Sequence, residues 1–261
     1  MKVLTLDFDG VIADSQMECL FVGFNSYLKF HRDTKLFDGQ EITFDNFDEL
    51  KEKYKETIEK YKKLRPYVID AFSFYTILHI IENNIAINDQ NQFNDLTNKL
   101  MKGLYGNYVN NFYDVRLSLQ DKNFEKWLEL EAPFEKIIKG IKELEKKYII
   151  TIATNNRART VKGFLNKYQI NAKVIADSTL STNKIEHLEY LKNKLNVNFE
   201  DIHFVDDQVK HFPKLLELGI KCYLATWGYN NEQQQEEAKK LGVVMLNEDN
   251  FYEKLAKNHN I

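Results

Sequence analysis

Residues 2–10 read KVLTLDFDG, and the fold turns on how that stretch is taken. KVLTL is a short, mostly apolar run that stops abruptly at Asp7. Such a run reads as a buried strand whose carboxyl end meets polar residues. A buried strand needs neighbours on both sides. Yet residues 15–130 hold no convincing strand. Met17, Leu20, Phe21, Phe24, Tyr27 and Leu28 fall at helical spacing over 15–31, and Phe47, Leu50, Tyr54, Ile58, Tyr61 and Leu64 do so over 47–64. Pro66 suits the first turn of a third helix, 66–82, which is apolar nearly all round. Phe93, Leu96, Leu100 and Leu104 point to a fourth.

From Pro133 the pattern alternates. Helices 134–147, 157–168, 183–195 and 211–218 lead into strands 148–153, 173–176, 202–205 and 220–225. Gly219 stops the last of these helices. A late helix, strand 243–246 and helix 248–257 complete the pattern, and the tail after Asn258 is expected to fray. This βαβα alternation predicts a Rossmann-like parallel sheet with helices on both faces. Strand 2–6 finds partners only after residue 133. The expected organisation is therefore an α/β domain formed by 1–14 and 132–261, with an all-helical domain, 15–131, inserted into it.

Composition narrows the function classes. Among 261 residues, 43% are apolar and 29% charged, the formal net charge is -3, and Lys/Arg are interleaved with Asp/Glu. No basic cluster has the footprint of a nucleic-acid site, so no nucleic-acid partner is expected. No apolar segment reaches the length of a membrane span, and no signal peptide is expected, because the N-terminal apolar run meets Asp7 at once. Cytoplasmic location follows by default. Cys19 and Cys222 stand far apart in apolar surroundings and read as buried, reduced thiols.

In open parallel sheets ligands bind outside the carboxyl ends of the strands. After the first predicted strand come Asp7, Phe8, Asp9 and Gly10; after the second, Thr154, Asn155 and Asn156. After the third come Asp177, Ser178 and Thr179, with Lys184 opening the next helix; after the fourth, Asp206 and Asp207. Taken singly, each is an ordinary cap, turn or surface residue. Together they set carboxylates from three strands at one rim. Two unit charges 4 Å apart repel by about 4 kcal/mol at an effective dielectric near 20. A hard divalent ion with oxygen ligands relieves that repulsion, and few His with no clustered Cys argue against zinc.

DFDGVIADS at 7–15, ATN at 153–155, Lys184 and FVDDQ at 204–208 resemble, in order, the four motifs of the haloacid dehalogenase superfamily of phosphatases. The helical segment after the first motif resembles that family's inserted cap. The resemblance covers the whole α/β domain and implies roles. Asp7 would be the nucleophile, forming an aspartyl-phosphate, and Asp9 the general acid and base. Phe8, Thr154, Asn155 and Lys184 would bind the phosphoryl group. Asp7, the Asp9 carbonyl and Asp207 would hold Mg²⁺, with Asp206 a neighbouring or alternative ligand. An Asp two residues after the nucleophile favours phosphate esters over halides or phosphonates. Two departures stand out: NKIEHLE lacks the prolines usual after the motif lysine, and His211 occupies the place of a second acidic residue after Asp206–Asp207.

The expected activity is Mg²⁺-dependent hydrolysis of a small phosphorylated metabolite, phosphoglycolate-like or a sugar phosphate, with the cap closing over the site. The TWGY segment at 226–229 resembles one near the end of phosphoglycolate phosphatase-like members. LRPY at 64–67 and FYDVR…W at 112–127 resemble a bacterial subgroup with an enlarged cap. Arg65, Arg116 and His31 are the cap residues considered for substrate contact, each more ordinary as a surface or packing residue. The alternatives are a phosphomutase, which shares all four motifs, and a non-catalytic binding module of the same fold.

Overall fold

The computed structural model describes residues 2–258. The expected tail after Asn258 lies outside the described residues. By density of internal contacts the chain divides into two compact units, Met1–Ser15 with Glu131–Ile261, and Gln16–Leu130.

In the α/β unit, six parallel strands form one sheet. They are β1 (Val3–Leu6), β4 (Ile149–Ala153), β5 (Val174–Ala176), β6 (Ile202–Asp206), β7 (Lys221–Ala225) and β8 (Val244–Leu246), in the order β5-β4-β1-β6-β7-β8. Strand β1 is central, with Leu4 beside Ile150 on one side and His203 on the other. All four of its residues are buried, which explains why VLTL is apolar on both faces. Helices flank the sheet: α8 (Glu135–Leu144), α9 (Ala158–Tyr168), α10 (Lys184–Leu195), α11 (Phe212–Glu217), α12 (Glu232–Lys240) and α13 (Phe251–Asn258). α10 packs on β4 and β5, α11 on β7, α12 on β8, and α8 against α13. The core between them is built from Phe204, Leu188, Leu191, Phe212 and Leu215. Strand order reverses at β1: the chain moves outward to β4 and β5, then crosses back to β6. That switch point opens a crevice at the carboxyl ends of β1, β4 and β6.

A second, two-stranded antiparallel ladder pairs β2 (Ala13–Asp14) with β3 (Ala132–Pro133). The sequence pattern gave no sign of it, because two-residue strands carry no periodicity.

Gln16–Leu130 is helical: α1 (Gln16–Phe30), α2 (Phe47–Lys53), α3 (Lys55–Leu64), α4 (Phe72–Glu82), α5 (Gln90–Leu100), α6 (Tyr105–Lys122) and α7 (Phe124–Leu128). Two expectations need correction. The helix expected over 47–64 is two helices, broken at Tyr54, whose φ of -112° and ψ of 37° leave the helical region. The Tyr54 ring is held edge-on to Phe37 at 5.2 Å, so tertiary packing overrides the local period. The helix expected from Pro66 starts instead at Phe72. Pro66 sits in a separate 3-10 turn, Arg65–Tyr67, ended by extended Val68. Asp70 then accepts from the Ser73 amide at 3.0 Å and starts α4. Between α1 and α2, Phe37 (φ 49°), Asp38 (φ 55°) and Gly39 (φ 65°) form a left-handed run. That conformation costs a non-glycine residue about 1–2 kcal/mol. The buried Phe37 ring, edge-on to Phe24 at 4.8 Å, helps hold it.

Among the described residues no helix is long and apolar enough to cross a membrane. Cys19 and Cys222 are buried and unbridged, and burial pushes the Cys222 thiol up to about 12.

Candidate active site

Asp7 is the first residue past β1, and its amide donates to Val205 O at 2.9 Å, continuing the β1–β6 ladder. The chain then turns sharply: the Ile12 and Ala13 amides donate to Phe8 O, and the Gly10 amide to Ala13 O at 2.8 Å. Gly10 has φ +78°, and a Cβ there would lie 2.3 Å from Asp207 Oδ2. Only glycine satisfies both the turn and that approach.

Three buried carboxylates, Asp7, Asp206 and Asp207, each offer an oxygen, and these oxygens lie within 4.8 Å of one another. Lys184, the first residue of α10 and almost wholly buried, reaches into them. Its Nζ lies 2.8 Å from Asp7 Oδ2 and 3.7 Å from Asp206 Oδ2, and donates to Ala153 O at 2.6 Å. The helix start that aims it is capped by Asn183, whose side chain accepts from the Ile185 amide at 2.9 Å. Burial pulls on the Lys184 amine, yet the neighbouring Asp7 and Asp206 carboxylates hold it above its ordinary value, so it stays a cation.

Each carboxylate has a distinct setting. Asp7 Oδ1 accepts from the Phe8 amide at 2.7 Å. Burial is the largest influence on the Asp7 carboxyl and, with Asp206 and Asp9 nearby, pushes it up to about 7 against the pull of Lys184. Asp206 ends β6; its Oδ1 accepts from the Gln208 amide and its Oδ2 faces His211 Nδ1, both at 2.8 Å. Burial would raise the Asp206 carboxyl, but His211 and Lys184 outweigh it and hold it well below the usual range. Asp207 Oδ2 accepts from the Tyr229 amide at 2.6 Å.

Asp9 is half-buried and faces two residues that received no role from the sequence. Its Oδ1 accepts from Ser15 Oγ at 2.5 Å and from Asn156 Nδ2 at 3.2 Å. The fully buried Thr154 hydroxyl accepts from the Asn156 amide at 3.0 Å, and the Asn155 side chain is exposed. Folding thus gathers Asp7, Asp9, Thr154, Lys184, Asp206 and Asp207, together with the backbone of Phe8 and Asn155, at one rim. Asp177 departs from the acidic set. Its oxygens accept from the Ala158 amide at 2.7 Å and Thr179 Oγ1 at 2.6 Å, so it starts α9 and closes a turn instead.

The TWGY segment belongs to the site. A Cβ on Gly228 would lie 2.3 Å from Asp207 Cβ and 2.4 Å from Gly10 O. The Tyr229 hydroxyl accepts from the Ser15 amide at 2.6 Å and donates to Asp14 Oδ1 at 3.0 Å. Ser15 and Asn156 stood beside recognised residues in the sequence. Only their distance to Asp9 reveals their part.

The three candidate substrate residues of the helical unit pack within it. Arg65 is buried with its guanidinium over the Phe74 ring at 5.2 Å. Arg116 pairs with buried Glu18 through Nε at 2.7 Å and Nη2 at 2.8 Å. His31 stacks on Tyr27 and meets the Tyr75 hydroxyl at 2.7 Å.

A hydrolase of the haloacid dehalogenase-like family from Streptococcus pneumoniae superposes with a TM-score of 0.58 at 13% identity, over 95% of this chain and 93% of that one. A predicted phosphoglycolate phosphatase from Haemophilus somnus gives 0.62 at 12% identity over 98% of both chains. A β-phosphoglucomutase from Clostridium difficile gives 0.54 at 13% identity over 100% of this chain and 97% of that one. The chain therefore has the haloacid dehalogenase-like fold over its whole length. No family model matches the sequence, and no curated protein does.

Proposed function

We propose that the chain is a Mg²⁺-dependent phosphatase that hydrolyses a small phosphate monoester through an aspartyl-phosphate on Asp7. The observation that carries this is the position of Asp7 at the end of the central strand, with its Oδ2 on buried Lys184 and two further buried carboxylates beside it.

Three carboxylates against one ammonium leave the site short of positive charge. An all-oxygen donor set of that charge fits a hard divalent cation. Asp7, the Asp9 carbonyl and Asp207 would hold it, with Asp206 adjacent. Both Asp206 oxygens are engaged, by Gln208 and His211, which favours Asp206 as an orienting neighbour. When bound, the ion would supply charge neutralisation at the phosphoryl oxygens.

The residues divide the chemistry. The Asp7 carboxylate attacks phosphorus, and the ester P–O bond breaks as Asp9 delivers a proton to the leaving oxygen. Asp9, now a carboxylate, takes a proton from the water that attacks the aspartyl-phosphate, which releases inorganic phosphate and restores Asp7. Ser15 and Asn156 hold Asp9 in place for both transfers. Lys184 offsets charge on Asp7 and the phosphoryl group, while Thr154, the Asn155 amide and the Phe8 amide bind phosphoryl oxygens. Positioning and charge neutralisation are the main demands of phosphoryl transfer.

The test is phosphate release from an aryl phosphate, phosphoglycolate and sugar phosphates, with Mg²⁺ and with EDTA. Release that requires Mg²⁺ and is abolished by EDTA supports the proposal. Isomerised sugar phosphate without phosphate release makes the chain a phosphomutase. No turnover across the panel makes it a binding module.

A further inference from the structure

The TWGY segment, 226–229, follows β7 and supplies no group to the proposed chemistry, yet the α/β unit grips it at several points. Trp227 Nε1 donates to Val11 O at 3.1 Å. Asn230 Nδ2 donates to Ala225 O at 2.8 Å and to Asp207 O at 3.2 Å. Between these two anchors lies buried Tyr229.

The two ends of Tyr229 meet different parts of the site. Its amide donates to Asp207 Oδ2 at 2.6 Å. Its hydroxyl accepts from the Ser15 amide at 2.6 Å and donates to Asp14 Oδ1 at 3.0 Å. Ser15 in turn donates through Oγ to Asp9 Oδ1 at 2.5 Å. Three successive residue contacts therefore connect the carboxylate read as a cation ligand with the carboxylate read as acid and base. A hydroxyl that gives its one proton to Asp14 and takes the Ser15 amide on a lone pair has a fixed direction. The rigid ring between amide and hydroxyl leaves only two side-chain torsions to vary that span. A buried tyrosine needs one partner for its hydroxyl. This one meets two consecutive residues, the last of the α/β unit before the helical one, and the second of them holds Asp9.

We propose that Tyr229 is a positioning residue for the acid–base step. Through the Ser15 amide it sets where the Ser15 hydroxyl holds Asp9, and its own amide ties that position to Asp207. The inference rests on the function proposed above and adds to it a residue that acts on Asp9 only through Ser15.

Leaving-group chemistry tests it. Benzyl phosphate must release an alkoxide, which needs the proton from Asp9, whereas 4-nitrophenyl phosphate releases a stabilised phenolate that does not. The quantity measured for both esters, with Mg²⁺, is kcat/KM, which reports the steps up to the aspartyl-phosphate. Tyr229→Phe should lower it by about tenfold or more for benzyl phosphate and by less than about threefold for the nitrophenyl ester. Ser15→Ala should show the same contrast. The double variant should be no worse than Ser15→Ala alone, because both substitutions act along one path. Tyr229→Leu, which also lacks the hydroxyl, is the substitute if Tyr229→Phe does not fold. Equal slowing of the two esters, which a role confined to packing predicts, overturns the proposal, and so does no slowing of either. Losses that multiply in the double variant overturn it too. A wild type with no turnover of benzyl phosphate has no acid step for Tyr229 to serve, which is equally fatal. Absence of Mg²⁺-dependent release from both esters overturns the phosphatase proposal as well.

Discussion

The two units treat buried charge in opposite ways. In the helical unit the fully buried Glu18 is met by the Arg116 guanidinium through two hydrogen bonds. In the α/β unit Asp7, Asp206 and Asp207 converge on a single ammonium, Lys184. Several buried carboxylates held together repel one another, a cost that a bound cation would relieve. A balanced pair, by contrast, is architecture. Charge that is buried and unmatched is thus a better pointer to chemistry than buried charge alone.

Asp7→Asn removes the proposed nucleophile with almost no change of shape, and phosphate release should fall by roughly 10⁴-fold or more. A variant retaining activity within tenfold would move the chemistry off Asp7. Arg116→Met removes the guanidinium that pairs with buried Glu18 and should destabilise the protein by about 3–5 kcal/mol in urea unfolding, while Glu18→Gln with Arg116→Met should recover much of that. Equal losses in the two would mean that the pair is not what Glu18 needs. Gly228→Ala forces Asp207 and Gly10 apart and should cost about 1–3 kcal/mol of stability, with a larger proportional loss of turnover than of folded protein.

The smallest effect concerns pH. Burial would raise the Glu82 carboxyl, but hydrogen bonds from Thr34, Tyr27 and the Lys35 amide, with His31 nearby, lower it below its ordinary 4.5. Because the folded value is the lower one, its stabilisation is present above pH 4.5 and is lost as pH falls through the folded value. The stability gap between wild type and Glu82→Gln should therefore be greatest near neutrality and narrow in acid. A gap that widens in acid would reverse the sign.

Legibility in the sequence followed the range of the forces involved. The βαβα alternation after Pro133 was readable because each strand and helix writes its own period, and VLTL because a central strand is apolar on both faces. Acidic residues just past the strands were readable for the same reason. Tyr54 and Pro66 were not, since the break at one and the separate turn at the other depend on residues distant in sequence or on a local cap that outcompetes the longer pattern. Asp177 looked equivalent to Asp206, and only its bonds to Ala158 and Thr179 set it aside. Ser15, Asn156 and Tyr229 became visible only when folding brought residues 9, 156, 207 and 229 together.

The β2–β3 ladder has a further consequence. It ties the strand by which the chain leaves the sheet domain to the one by which it returns. To the sheet, the whole stretch from 16 to 130 is one surface loop with clamped ends. Closing a longer loop costs little additional entropy. Its contents can therefore be lengthened, trimmed or exchanged over evolutionary time while strand order, and the acidic rim that depends on it, stay untouched.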